Sequence, residues 1–214
     1  MSRIKAIVFD FDGTIVPGSE TVKENAWRFL FSEDEDDLCA ALLKFGEGKG
    51  SRFDIIRFIL ERKGMADDGS VASYSRKFDE ETQKAINELG VPLNIRLTLE
   101  KLKENYPLFI NTATPTEAIE QTLVGLGIRE MFAGVYGRPF SKFDNLKSIA
   151  NLLEAEPSSI VFIGDGRGDK EAAESFGCFF IGIANKNNGW EPQISKDSAV
   201  INHLGNCVSI IEKL

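Results

Sequence analysis

The sequence predicts an α/β protein with a parallel sheet, and three observations predict it. Short, wholly apolar runs of the kind found in strands buried on both faces recur at "AIVF", "LFIN", "IVFIG" and "CFFIGIA". Segments with apolar residues at three-to-four spacing alternate with those runs. One long stretch, residues 16–92, keeps the helical spacing and holds no strand pattern. Together they give a Rossmann-like parallel sheet core, residues 1–15 plus 93–214, with an inserted helical domain over residues 16–92.

In chain order, Ala6, Ile7, Val8 and Phe9 form the first strand, and Gly13 punctuates its end. Helices are predicted near 22–31, 36–45, 52–63 and 70–89, after which "GVPLN" returns the chain to the core. Then follow a helix at 95–105, a strand at 108–111, a helix at 115–126 and a strand near Val135. A helix at 142–154, a strand at 160–164, a helix at 169–176 and a strand at 178–184 complete the alternation. "SEDEDD" reads as a solvated helix start whose charges favour the helix dipole. Phe29, Phe31, Phe45, Phe53 and Phe58 read mostly as packing on helix faces, with one or two left to line the interface of the inserted domain.

With 214 residues the chain can bury one sizeable core and a smaller second unit. Hydrophobic residues make up 43% and include 16 Phe, which argues against a disordered chain. The balance of 33 acidic against 25 basic residues argues against a broad nucleic-acid surface, which needs clustered positive charge. Cys39, Cys178 and Cys207 are odd in number and lack ligand spacing, so free thiols in a reducing compartment are expected rather than a zinc site. "MSRIK" shows no signal-peptide pattern, and no apolar run approaches the ~18 residues of a membrane helix. A soluble cytoplasmic protein without nucleic-acid or membrane partners is expected.

In open α/β sheets, chemistry gathers where strands end at their carboxyl edge. The residues after the strands are therefore read together. They offer Asp10 and Asp12 in "DFDGT", Thr112 in "NTATP", Lys142 in "GRPFSK", and Asp165 and Asp169 in "GDGRGD". Two carboxylates two residues apart on an extended segment face the same way, and they repel unless a cation or a proton intervenes. The set supplies carboxylates for a hard cation, one carboxylate to attack, and a hydroxyl and an ammonium to hold an anion. Thr114, Pro115 and Glu117 predict a Thr-x-x-Glu capping box with Pro at the first helical position, which would leave free backbone N–H groups beside Thr112.

These residues, in this order, resemble the four motifs of the haloacid dehalogenase superfamily, whose members are mostly phosphatases. The first motif, DxDx[TV], stands here as "DFDGT", the second as Thr112, the third as Lys142 and the fourth, GDxxxD, as "GDGRGD". The insertion is similar to the helical cap of the subfamily that includes phosphoglycolate phosphatase and beta-phosphoglucomutase. The resemblance implies a magnesium-dependent phosphohydrolase for a small phosphorylated metabolite. Asp10 would attack phosphorus to form an aspartyl-phosphate, and Asp12 would serve as acid and then base. Mg2+ would lie between Asp10, the backbone carbonyl of Asp12 and Asp165, with Asp169 direct or through water. Lys142 and Thr112 would hold the phosphoryl oxygens.

Competing readings stand beside these. Lys147 competes with Lys142, and the family's interval before the fourth motif favours Lys142. Arg52, in "KGSRFD", is either a substrate contact of the cap or part of a plain helix start with Ser51 as N-cap and Asp54 three residues on. The glycines of "GDGRGD" depart from GxGxxG, and "GEGKGS" departs from the Walker spacing. Gly166 and Arg167 replace the Ser and neutral residue common in the fourth motif, so Arg167 would weaken magnesium binding or hold a substrate anion. His203 reads as structural. A phosphomutase would use the same Asp10, and a noncatalytic phospho-ligand binding module is the rival from another class.

Overall fold

The computed structural model describes residues 4–46 and 50–214. The start of "MSRIK", the middle of "GEGKGS" and Lys49 of "KGSRFD" lie outside them. In chain order the elements are β1 (Ala6–Phe9), α1 (Ser19–Leu30), α2 (Glu35–Phe45), α3 (Arg52–Arg62), α4 (Asp68–Leu89), α5 (Leu93–Lys103), β2 (Leu108–Pro115) and α6 (Thr116–Gly125). They continue with β3 (Gly134–Arg138), α7 (Lys142–Leu152), β4 (Ile160–Gly164), α8 (Arg167–Phe176), β5 (Phe179–Ile183), β6 (Gln193–Ile194), β7 (Ser198–Ile201) and α9 (Cys207–Ile211). The chain divides into two compact units, Met1–Pro17 with Gly90–Leu214, and Gly18–Leu89.

The first unit carries a sheet in the order β3-β2-β1-β4-β5-β7-β6. Every neighbouring pair is parallel except β6 with β7. β1 lies between β2 and β4, with Phe9 level with Ile110 on one side and Ile163 on the other. Chain connections therefore leave β1 in opposite directions, which opens a crevice at its carboxyl end. All four β1 residues and all five of β4 are buried, as continuous apolar runs require in a sheet covered on both faces. On one face Val8, Phe109, Phe162 and Phe180 meet Leu146 and Ile149 of α7 and Ala173 of α8. Each such buried side chain contributes about 1.5–3 kcal/mol relative to exposure, and this packing fixes α7 and α8 against the strand ends.

The second unit is helical throughout its regular elements. Trp27, Phe31, Leu38, Ile56, Ile59, Leu60 and Phe78 form its core, with Trp27 stacked on Phe78 at 4.1 Å between ring centroids. Of its aromatic residues, Phe31, Phe45 and Phe58 pack in this core, as expected for most of the five. Phe29 is 67% exposed and Phe53 45% exposed, because both point away from the apolar stripe of their helices. β6, β7 and α9 extend the first unit beyond the predicted elements. The three cysteines are free, Cys39 exposed and Cys178 and Cys207 buried. Among the described residues no helix is long and apolar enough to cross a membrane.

Candidate active site

Asp10 directly follows β1 and remains in register, its N–H donating to the Ile163 carbonyl at 2.8 Å. Its side chain is buried at the crevice. Phe11 turns inward and is also buried, while Asp12 is half-buried. The next residue, Gly13, has φ 71°, and a Cβ there would stand 2.2 Å from Asp165 Oδ2. Only a glycine lets the first loop approach the Asp165 carboxylate this closely. Gly164 does the same for Asp169, whose Oδ2 would lie 2.5 Å from an added Cβ.

β4 ends at Gly164, so Asp165 emerges beside Asp10, and Asp169 is brought back by the first turn of α8. Asp169 Oδ2 accepts the Gly166 N–H at 2.9 Å, which holds the carboxylate over the helix start. Ligand oxygens of Asp10, Asp165 and Asp169 all lie within 4.8 Å of one another. Lys142, at the start of α7, reaches into this group. Its ammonium donates to Asp10 Oδ1 at 2.9 Å and to Asp169 Oδ1. Burial alone would lower the Lys142 pKa, but the charges of Asp10 and Asp169 and their hydrogen bonds raise it, so the residue is a fixed cation.

One ammonium does not balance three carboxylates. Burial, then the charge of Asp169, push the Asp10 carboxyl from 3.8 up to about 8; Lys142 opposes the rise and Asp12 adds to it. With all three ionised the site would carry a surplus of negative charge, which a divalent cation would neutralise. Three carboxylates are hard oxygen donors of the kind that magnesium and calcium take, so the residues present fit a metal ion.

Thr112, buried within β2, accepts the Thr114 N–H at 3.2 Å through Oγ1. The capping box predicted at Thr114 does not form. β2 continues through Pro115, which itself occupies the N-cap of α6 and gives no side-chain cap bond. The Thr114 hydroxyl instead turns to Asp12 Oδ2 at 3.4 Å, linking the first loop to the second. Asp10, Asp12, Thr112, Lys142, Asp165 and Asp169 thus belong to one strand edge, although the carboxylate of Asp12 is not part of the trio that could hold a metal. Lys147 is elsewhere, its ammonium 5.6 Å over the Phe143 ring.

Arg52 belongs to the second unit and is engaged there. It ion-pairs with Asp79 Oδ1 at 2.6 Å and donates to Ser75 Oγ at 2.8 Å. Ser51 and Asp54 form the capping box of the plain-helix reading. Arg167 is exposed at the first position of α8, and His203 is exposed after β7.

Two residues that sequence reasoning passed over also touch the site. Asn185 Nδ2 donates to Asp165 Oδ2 at 2.8 Å, and Asn188 Nδ2 donates to the Asp165 carbonyl at 3.0 Å. The signal was available, since "NKNNG" follows β5 at the same carboxyl edge, but asparagines after a strand look like turn residues.

Comparison with known proteins agrees with this geometry. The family model for haloacid dehalogenase-like hydrolases matches residues 4–177. Phosphoglycolate phosphatase of Pasteurella multocida (strain Pm70) is 25% identical over 230 residues, covering 99% of this chain and 100% of that protein. The same-named protein of Pectobacterium atrosepticum is 21% identical, covering 99% and 94%. Two solved structures share the fold. A predicted phosphoglycolate phosphatase from Haemophilus somnus 129PT has a TM-score of 0.72 at 20% identity, covering 98% of this chain and 99% of that one. A beta-phosphoglucomutase from Clostridium difficile has a TM-score of 0.71 at 20% identity, covering 98% and 96%. With four motifs gathered at one strand edge and a family match across most of its length, the chain belongs to the haloacid dehalogenase-like hydrolases.

Proposed function

We propose that this haloacid dehalogenase-family phosphatase hydrolyses a small phosphorylated metabolite with magnesium, through an aspartyl-phosphate on Asp10. The observation that carries the reading is the contact of Lys142 with both Asp10 and Asp169 beside Asp165, which gathers a nucleophile, an anion-holding cation and metal-capable carboxylates at one point. Magnesium held by Asp10, Asp165 and Asp169, with the Asp12 carbonyl, would supply the positive charge that lets an ionised Asp10 and a phosphate share the site.

The side chains divide the chemistry between them. An Asp10 oxygen attacks phosphorus while the bond from phosphorus to the leaving oxygen breaks, and the Asp12 carboxyl gives that oxygen its proton. Asp12, now a carboxylate, takes a proton from water as the water attacks the aspartyl-phosphate, which releases phosphate and restores Asp10. The Thr114 hydroxyl on Asp12 Oδ2 orients that carboxyl. Lys142 and the Thr112 hydroxyl stabilise the charge of the transferring phosphoryl oxygens; Thr112 Oγ1 already accepts the Thr114 N–H, so its proton is available to donate.

The test is phosphate release from a panel of phosphorylated metabolites, beginning with 2-phosphoglycolate because of the relatives' name, with magnesium or with chelator. Asp10→Asn is run in parallel. Magnesium-dependent release that falls on the order of 10³-fold or more in the variant supports the reading. Isomerised phosphosugar in place of free phosphate would favour a mutase, and silence across the panel from folded protein would favour a binding module.

A further inference from the structure

Two buried asparagines next to the site have no part in the chemistry above. Asn111 stands in β2, one residue before Thr112, and is 0% exposed; Asn145, in the first turns of α7, is 2% exposed. Both positions call for apolar residues by pattern, one inside a buried strand and the other on the inner face of a helix next to Leu146 and Ile149. A buried amide costs free energy unless it is hydrogen-bonded, so this pair needs partners.

Their partners define the pair's orientation. Asn111 Nδ2 donates to the backbone carbonyl of Lys142 at 2.9 Å. A carbonyl only accepts, so the Asn111 amide must present its nitrogen there, which turns Oδ1 toward α7. Asn145 Nδ2 donates to that Oδ1 at 3.0 Å and lies 3.5 Å from the Gly137 carbonyl of β3. One short chain of amides thus joins the end of β2, the end of β3 and the first turn of α7. The Lys142 carbonyl is at the N-terminus of α7 and moves with the residue whose ammonium reaches Asp10 and Asp169.

We propose that Asn111 and Asn145 are positioning residues for Lys142, clamping the first turn of α7 to the β2 end so that the ammonium stays on Asp10 and Asp169 while Thr112 keeps its place on the same strand. The consequence for activity rests on the phosphatase reading; the consequence for Lys142 does not. The clamp acts on the backbone, so it fixes the point from which the long lysine side chain reaches the site. Displacement on the order of 1 Å at a phosphoryl-holding group is enough to cost 10- to 100-fold in rate without removing any reacting atom.

The experiment uses the full chain with ¹⁵N-labelled lysine and reads the side-chain ammonium resonance of Lys142, assigned by its loss in Lys142→Ala. An ammonium held by two carboxylates exchanges its protons slowly and is visible; a mobile one is not. Asn145→Ala is the main variant, and Asn111→Ser, which is smaller and keeps a hydroxyl donor, guards against a failure to fold. The expected result is that both variants fold, the Lys142 resonance is lost or broadened in Asn145→Ala, and it is broadened less in Asn111→Ser. Phosphate release should fall at constant magnesium mainly through kcat, on the order of tenfold for Asn145→Ala. Adding Asn145→Ala to Lys142→Ala should cost no further activity, because the clamp would have nothing left to position. An unchanged Lys142 resonance in both variants, with only a lower melting temperature, would overturn the proposal. If the native protein shows the resonance but releases no phosphate from any substrate, the phosphatase reading fails and the positioning claim is still decided by the resonance.

Discussion

The two units treat charge in different ways. In the helical unit the cations Arg52, Arg62 and Lys63 are each paired with one carboxylate, Asp79, Asp37 and Asp34 respectively. In the sheet unit Lys142 meets Asp10 and Asp169 together with Asp165 close by, and burial and then the charge of Asp169 push the Asp10 carboxyl up to about 8. A fold under no demand other than stability pairs its charges or exposes them, because an uncompensated buried charge is costly. The excess at the β1 edge therefore points to something the protein takes up, and the neutralised pairs of the helical unit point to architecture.

Substituting one cation from each unit is the sharpest way to break this comparison. Lys142→Ala is expected to lower phosphate release by about 10²–10³-fold, since it removes a charge aimed at the reacting oxygens. Arg52→Ala is expected to act on stability instead, lowering it by about 1 kcal/mol, with Asp79→Ala giving a similar loss and the double variant little more. Kinetics and thermal melts on the four variants decide the matter. A KM that rises in Arg52→Ala and not in Asp79→Ala would instead assign Arg52 to the substrate.

A smaller effect concerns pH. A carboxyl raised in the folded state contributes stability that is fully present below its unfolded pKa, about 4, and is lost as pH rises through its folded pKa, about 8 for Asp10. In metal-free protein the cost of removing the Asp10 proton thus shrinks across that window. Magnesium binding, which needs the carboxylate, should therefore raise the melting temperature more at about pH 8 than at about pH 5. The pH-dependent part should vanish in Asp10→Asn. A magnesium shift that is flat with pH would mean that Asp10 is ionised without the metal.

The sequence made β1, β2, β4 and β5 legible because a strand buried on both faces can only be a continuous apolar run. The helices between them were legible within a few residues from their three-to-four spacing. β6 and β7 were not, since two residues of Gln-Ile and four of Ser-Ala-Val-Ile carry too little pattern to separate from loop. The residues at the strand ends could be grouped from the edge rule alone, but their partners could not. Thr114 looked like a helix cap because a Thr three residues before a Glu usually is one; in the structure its hydroxyl goes to Asp12. Asn111 reads only as the last residue of the "LFIN" strand, and its partners Lys142 and Asn145 are both more than thirty residues away. Local pattern reports what a residue does with its own neighbours, so tertiary hydrogen bonds of this kind are invisible to it.

The central claim is that Asp10 becomes covalently phosphorylated during turnover. Its most direct test is to quench the protein in acid during steady-state hydrolysis, with magnesium and the best substrate from the panel, and to map phosphorylated peptides by mass spectrometry. The account predicts a phosphoryl group on Asp10 in the native protein and none in Asp10→Asn. Steady release of phosphate with Asp10 never modified, or equal release by Asp10→Asn, would contradict it.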